Sequence, residues 1–312
     1  MEHIAVAVRA VVPTFLVILL GAFSRIRGWI GEEDVLHFNK VCFSLFLPCL
    51  FSYSLYSADL ETDFDPALIL FIGAGIVVSW LISLALAALM PATGEQKGVL
   101  TLAFSISNYI LLAIPMVQSI YGSSAMGKTA MMVGFTIPIN NILGVISVEM
   151  FRGGQMKPGK TLRGILTNPL VMGCLGGLAL NLLNIPLPAV AESALQTVGA
   201  AASPLMLFLV GGYFTRGILS GQRRNLAAAT VVRLVLMPAL AVALAVLLGF
   251  RGLDLLLILI NFGTPVGVLV FSLASQMKGD VRLSCMAIVG TTAASCLTMS
   301  GWLILLMNLG LL

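Results

Sequence analysis

Residues 102–117, LAFSISNYILLAIPMV, and 257–273, LILINFGTPVGVLVFSL, are apolar enough to lie in a membrane, yet Asn, Pro and Gly interrupt both. Asn108 and Pro115 are two helical turns apart, and Asn261 and Pro265 about one turn, so each Asn shares a helix face with its Pro. A Pro inside a helix removes a hydrogen bond and frees the carbonyl four residues earlier, here at Leu111 and at Asn261. Gly263 and Gly267 loosen the second segment further. Hydrocarbon tolerates such a break only where the backbone is buried in protein or lines a wet cavity. A plain proline kink, with Asn bonding a neighbouring helix, explains one such segment. Two in corresponding halves of one chain point instead to a binding site.

The halves do correspond. Pro13 recurs as Pro169, Gly21 as Gly177 and Pro48 as Pro204, each 156 positions on, which is half of the 312-residue chain. Internal repeats with interrupted helices are a signature of secondary transporters. Composition fits a membrane protein: 59% hydrophobic, 10% charged, mean hydropathy +1.05. Spanning about 30 Å of hydrocarbon takes roughly 20 apolar residues. Ten stretches qualify, near 5–24, 36–57, 67–90, 98–120, 126–151, 164–184, 190–215, 226–249, 253–276 and 283–311. They are too long and too uniformly apolar for barrel strands, so the expected class is an all-α polytopic membrane protein. The N-terminus lacks the basic start of a signal peptide. Cys42, Cys49, Cys174, Cys285 and Cys296 fall within spans, with no paired or metal-binding spacing.

Charge fixes the expected topology. One side carries Arg25, Arg27, Lys40, Lys97, Arg152, Lys157, Lys160, Arg163, Arg216, Arg223, Arg224, Lys278 and Arg282. The other carries Arg9, Lys128, Arg251 and the acidic run Asp59, Glu61, Asp63, Asp65. The basic side is cytoplasmic by the positive-inside rule, and both termini are non-cytoplasmic. Five spans per repeat is an odd number, so the second copy enters the membrane inverted, the arrangement that supports alternating access. The expected division is a first five-helix repeat at 1–151, a cytoplasmic linker at 152–163 and a second, inverted repeat at 164–312.

Candidate substrate contacts cluster at the two breaks. Asn108, Pro115, Asn261 and Pro265 define them, and Ser105, Ser107 and Thr264 add hydroxyls. The half-helix that begins after each break aims a positive dipole end at the midplane, which suits an anion. Asn140 and Asn141 follow Pro138 in span five, as helix–helix bonds or as cavity lining. Arg233 lies about two turns into span eight, where it either snorkels to the cytoplasmic surface or faces the pathway and attracts an anion. Pro48 and Pro204 are expected to bend spans two and seven equivalently. There is no Walker A motif, no HExxH, no plausible catalytic triad and no carboxylate at the centre of a span. The chain is therefore expected not to be an enzyme, with no cofactor, no metal and no nucleic-acid partner.

Five segments, SISNYILLAIPM (105–116), NPLVMGCLGGLAL (168–180), GAAASPLMLFLVGGYF (199–214), VVRLVLMPAL (231–240) and NFGTPVGVLVFSLA (261–274), occur in this order. With the ten-span plan, they resemble the auxin efflux carrier (PIN-like) family, which includes bacterial malate/malonate-permease-type members. The resemblance implies a fold like that of bile-acid and sodium–proton carriers. Spans one, two, six and seven would form a scaffold, and spans three to five and eight to ten a transport domain. Spans four and nine would cross at their prolines, with Asn108 and Pro115 on the first crossing helix and Pro265 on the second. Span three, PALILFIGAGIVVSWLISLALAAL, lacks the charged support residues of the plant carriers, and their long hydrophilic loop is absent. A bacterial inner-membrane permease for a small carboxylate is the closer picture.

The expected function is thus a secondary transporter of a small organic anion, auxin-like or malate/malonate-like, with an elevator or rocking motion. A proton or sodium coupling ion and a homodimer are left open. One alternative is a sodium- or proton-coupled carrier of a neutral or bile-acid-like solute, its sodium held by carbonyls freed near Pro265. Another is a membrane receptor or structural protein with a carrier-like fold.

Overall fold

The computed structural model describes residues 2–57, 65–122, 125–151, 167–213 and 222–312. The linker at 152–163 and the acidic positions Asp59, Glu61 and Asp63 lie outside the described residues. The described chain is helical: α1 (Glu2–Ile26), α2 (Glu32–Tyr56), α3 (Pro66–Leu89), α4 (Gly94–Ser105), α5 (Tyr109–Tyr121), α6 (Met126–Phe151), α7 (Pro169–Leu182), α8 (Ala189–Tyr213), α9 (Arg223–Leu247), α10 (Gly252–Gly263), α11 (Leu269–Gln276) and α12 (Val281–Asn308). Among the described residues, the only strand-like pairing is one antiparallel bridge, Ser107 to Val266.

Six uninterrupted runs are long and apolar enough to cross a membrane: α2, α3, residues 127–151 of α6, α8, α9 and α12. The stretches expected as spans four and nine are each split, into α4 and α5 and into α10 and α11. The chain is therefore an all-α polytopic membrane protein.

Helix starts follow from local chemistry. Asp65 accepts from the Ala67 and Leu68 N–H groups ahead of Pro66, which needs no donor partner in the first turn. Thr93 and Gln96 form a reciprocal capping box on α4. Asn168, before Pro169, caps α7 through the Leu170 N–H, and Asp280 caps α12 through Leu283.

Glycines set the closest helix packing. A methyl group added at Gly21 would sit 1.9 Å from the Phe208 carbonyl oxygen, and one at Gly177 would sit 2.1 Å from that of Ser52. Positions 21 and 177 are 156 apart, and so are 52 and 208; the two contacts therefore have the same register with partners exchanged. Small residues that let backbones touch are the usual glue of membrane helices, where lipid is as apolar as any side chain. These contacts lock α1 onto α8 and α2 onto α7.

Pro48 and Pro204 do not bend their helices alike. Before Pro48, residues Cys42–Phe46 widen into a π-turn, and the Leu47 N–H reaches the Cys42 carbonyl. Pro204 lies in an unwidened α-helix. The second π-turn is Val232–Leu236 in α9, ahead of Pro238. In both cases the extra residue lets the helix absorb a ring that would clash with the carbonyl four positions back.

Two polar clusters join helix starts at opposite ends of the bundle. Lys128 at the start of α6 pairs with Asp65 before α3 at 2.8 Å and with Asp254 in the first turn of α10 at 2.5 Å. Asp280 before α12 accepts from Gln96 of α4 at 3.1 Å and from Gln222 before α9 at 2.9 Å. Every residue of the two clusters belongs to α3, α4, α6, α9, α10 or α12, or to the turn that starts one of them. The centre of this group is α10, where residues 255–263 are all buried. A helix apolar on every side belongs in a bundle interior.

Candidate functional site: a crossover of two broken helices

The two breaks meet. The Asn108 N–H donates to the Pro265 carbonyl at 2.8 Å, and the Gly267 N–H donates to the Ile106 carbonyl at 3.1 Å. This pairing satisfies backbone that both helices leave open, as it must in a water-poor interior. A Cβ at Gly267 would lie 2.8 Å from the Ser107 carbonyl oxygen, so the crossing demands glycine there. The Val266 N–H finds the Thr291 hydroxyl of α12 at 3.0 Å.

In the second broken helix Pro265 lies in the break, and the Asn261 carbonyl it frees accepts from the Ser107 hydroxyl at 2.6 Å. The first break differs from expectation. It falls at residues 106–108, and Pro115 sits inside α5 rather than at the interruption. Asn108 and Asn261 are consequently not equivalent. Asn108 precedes the half-helix after its break, whereas Asn261 is in the last turn of the half-helix before its break. Spacing to the nearest proline could not distinguish these, because only one proline marks its break.

Arg233 is neither at the surface of the protein nor on the cavity wall described below. It is fully buried, and its guanidinium donates to four carbonyls: Thr264 at 3.0 Å, Phe104 at 3.3 Å, Ser105 at 2.9 Å and Asn261 at 2.7 Å. These are the ends of α4 and α10. A helix C-terminus carries about half a negative charge, so two together offset about one positive charge. This is how a cation remains buried at a cost that would otherwise reach several kcal/mol. No carboxylate among the described residues forms an ion pair with it. Arg233 lies within the π-turn Val232–Leu236, and its side chain is buried. Sequence could not reveal that, since snorkelling and burial look identical from hydropathy.

With the C-terminal ends neutralised, the N-terminal ends remain. α5 starts after Asn108 and α11 after Val268, neither with a side-chain cap. Both border a small cavity of about 40 Å³, room for little more than a water molecule. Its wall brings together Ser107, Asn108, Asn140 and Asn141 from the expected set, and adds Tyr109, Ser203, Gly267 and an apolar side formed by Leu47, Leu50 and Phe51 of α2. The Asn108 amide nitrogen and the Asn141 amide oxygen are buried without a partner. The Asn141 nitrogen rests on Cys174 Sγ at 3.4 Å, and the Asn140 nitrogen donates to the Thr136 carbonyl at 3.1 Å. Unpaired buried polar atoms are rare and call for an explanation such as a ligand or water.

Ser105, Asn261, Thr264 and Pro265 are not on this wall. The Ser105 hydroxyl donates back to the Thr101 carbonyl and the Thr264 hydroxyl to that of Ile260. The Asn261 amide nitrogen is also buried and unpaired. Sequence reasoning passed over Tyr109, Ser203 and Gly267. The first follows directly on Asn108, the second precedes a repeated proline, and in sequence Gly267 signals only a loosened helix.

Among the described residues, no cluster of metal-binding side chains occurs. A model of a family of membrane transport proteins matches residues 6–303. A protein named "Uncharacterized transporter" from Methanothermobacter thermautotrophicus is 27% identical over 304 residues, covering 95% of this chain and 97% of its own. "Uncharacterized transporter MJ1031" from Methanocaldococcus jannaschii is 21% identical over 313 residues, covering 96% of this chain and 98% of its own. Both relatives are archaeal, so the bacterial setting rests on the motif resemblance alone.

Proposed function

Because the chain belongs to the membrane transport protein family of the auxin efflux carrier type, we propose that it is a secondary transporter of a small organic anion, a mono- or dicarboxylate, and that it works by alternating access at the crossover. The observation that carries this reading is electrostatic. Arg233 neutralises the two C-terminal ends, while two uncapped N-terminal ends and the unpaired Asn108 amide donor face one cavity. Partial positive charge without a fixed cation favours an anion that must also leave.

Two further features support ten spans in two inverted repeats around a moving bundle. The Gly21–Phe208 and Gly177–Ser52 contacts exchange partners at one offset, as inversion requires. Both polar clusters tie only helices of spans three to five and eight to ten, while the glycine contacts tie spans one, two, six and seven. The cavity lies between the groups: α2 and Ser203 of α8 form one side, the crossover and α6 the other. An elevator-like slide of one group past the other would open it alternately to each face. The cavity is too small for a dicarboxylate, so the substrate-bound state has the two groups further apart.

The occupied carbonyls near Pro265 favour the anion reading over sodium coordination. The Asn261 and Thr264 carbonyls are taken by Arg233, and that of Pro265 by the Asn108 N–H. Uptake and counterflow in proteoliposomes with a panel of mono- and dicarboxylates test the proposal. Saturable counterflow with at least one carboxylate is expected. Flux of neutral solutes alone would overturn it.

A further inference from the structure

A groove of about 570 Å³ lies between α3 and α9, with Phe262 of α10 at its floor, and shares no lining residue with the cavity at the crossover. Its depth comes from small side chains, Ala74 and Gly75 on α3 and Ala241 on α9. A Cβ at Gly75 would sit 2.8 Å from the Phe262 ring, so glycine admits that ring to the floor. The only hydroxyl on the lining, Ser79, donates to its own helix at the Ile76 carbonyl. The lining therefore offers an occupant no free side-chain donor, and contact with it is almost wholly apolar.

Its surroundings are hydrocarbon. Leu70 is 74% exposed and Leu244 52% exposed, on helices long and apolar enough to cross a membrane. Along α3 the groove runs from Ala67 to Ile82, about 22 Å at roughly 1.5 Å per residue. One leaflet of hydrocarbon is about 15 Å deep. The groove thus extends from the membrane surface through a leaflet.

The surface end carries a cation. Leu248 and Phe250 line that end, and Arg251 follows directly. Its Nη1 donates to the Val246 and Phe250 carbonyls at 2.9 and 2.7 Å, which holds the guanidinium over the end of α9. Its Nε and Nη2 have no protein acceptor among the described residues, and the residue is exposed. The nearby Asp65 and Asp254 both turn to Lys128.

We propose that the groove seats one acyl chain of a phospholipid whose phosphate is held by Arg251. The chain is a bound part of the transport bundle, packed against Phe262 and hence behind the crossover. Charge at one end, a nearly all-apolar channel and a leaflet-deep run together match a phospholipid and no water-soluble ligand.

Photolabelling tests this with purified protein in phosphatidylcholine vesicles containing a phospholipid with a diazirine in its acyl chain, mapped by peptide mass spectrometry. Labelling is expected to concentrate on the peptides that carry Ala74 and Ala241, above the level at Leu297, which is 81% exposed elsewhere on the surface. Ala74→Trp and Ala241→Trp fill the groove and should reduce that labelling about tenfold, and Arg251→Gln should reduce it by a similar order. Groove labelling no denser than at Leu297 would mean ordinary bulk lipid only and would overturn the proposal. So would cross-links between two copies through α3 and α9. If a tryptophan variant is not monodisperse, the wild-type ratio and the Arg251→Gln response decide the matter by themselves.

Discussion

The Arg233 guanidinium donates to the Asn261 carbonyl at 2.7 Å, 28 residues along the chain, and the same group reaches the end of the other broken helix at Ser105. One side chain thus holds both halves of the crossover. Arg233→Leu should leave the Thr264, Phe104 and Ser105 carbonyls without their donor, each at about 1–3 kcal/mol, and the Asn261 carbonyl with the Ser107 hydroxyl alone. A large fall in thermal stability and loss of transport are expected. Arg233→Lys keeps the charge but not the fork, and should fall between wild type and Leu. A melting curve for the purified variants checks the order.

The two asparagines should separate. Asn108 faces the cavity with an unpaired amide nitrogen, so Asn108→Ala removes a donor to the substrate without breaking a protein bond. One hydrogen bond to a charged group contributes on the order of 1.5–3 kcal/mol, about ten- to a hundredfold in affinity. Asn261→Ala should leave affinity nearly unchanged, because its carbonyl holds the crossover and its side chain is off the wall. Calorimetry with a transported carboxylate distinguishes them, and equal losses in both variants would refute this assignment.

Gly21→Ala and Gly177→Ala should each destabilise the protein strongly, since the new methyl meets a backbone carbonyl at about 2 Å in both places. Gly176→Ala is the control: nothing lies within 4 Å of its would-be Cβ, so little change is expected. Detergent melting temperatures of the three variants provide the comparison.

The hydrogen bond from Lys128 holds the Asp65 carboxyl below its ordinary pKa. A depressed folded pKa means stabilisation fully present above the ordinary carboxylate range and lost as pH falls through the folded value. Wild type should lose stability on acidification over that window. Asp65→Asn should flatten that part of the profile, with an effect kept small by the partial exposure of the pair to solvent. Melting scans against pH report both slopes.

Inverted repeats require both termini on one side and residue 157 on the other. On a cysteine-free background, a cysteine at 157 should resist an impermeant thiol reagent added from outside. Labelling there would overturn the orientation, and labelling of a second cysteine placed near the C-terminus from that same side would disprove the inversion.

Sequence alone determined the membrane class, the two interrupted segments, the 156-residue register and the family. Each is written in one dimension: hydropathy over about 20 residues, helix-breaking residues inside it, or identities at a fixed offset. It also singled out Asn108, Asn140 and Asn141, because polar side chains at membrane depth need a partner or a cavity, but that the three share one wall is a fact of the tertiary structure. Tertiary structure decided the rest. The first break lies at 106–108 because the antiparallel pairing with 265–267 supplies the missing backbone partners, and no local residue pattern announces that. Arg233 turns inward because two helix ends converge on it from distant parts of the chain. Asn261 and Asn108, alike by their spacing to proline, end on different sides of their breaks, since equivalence is set by which backbone atoms pair across the crossing.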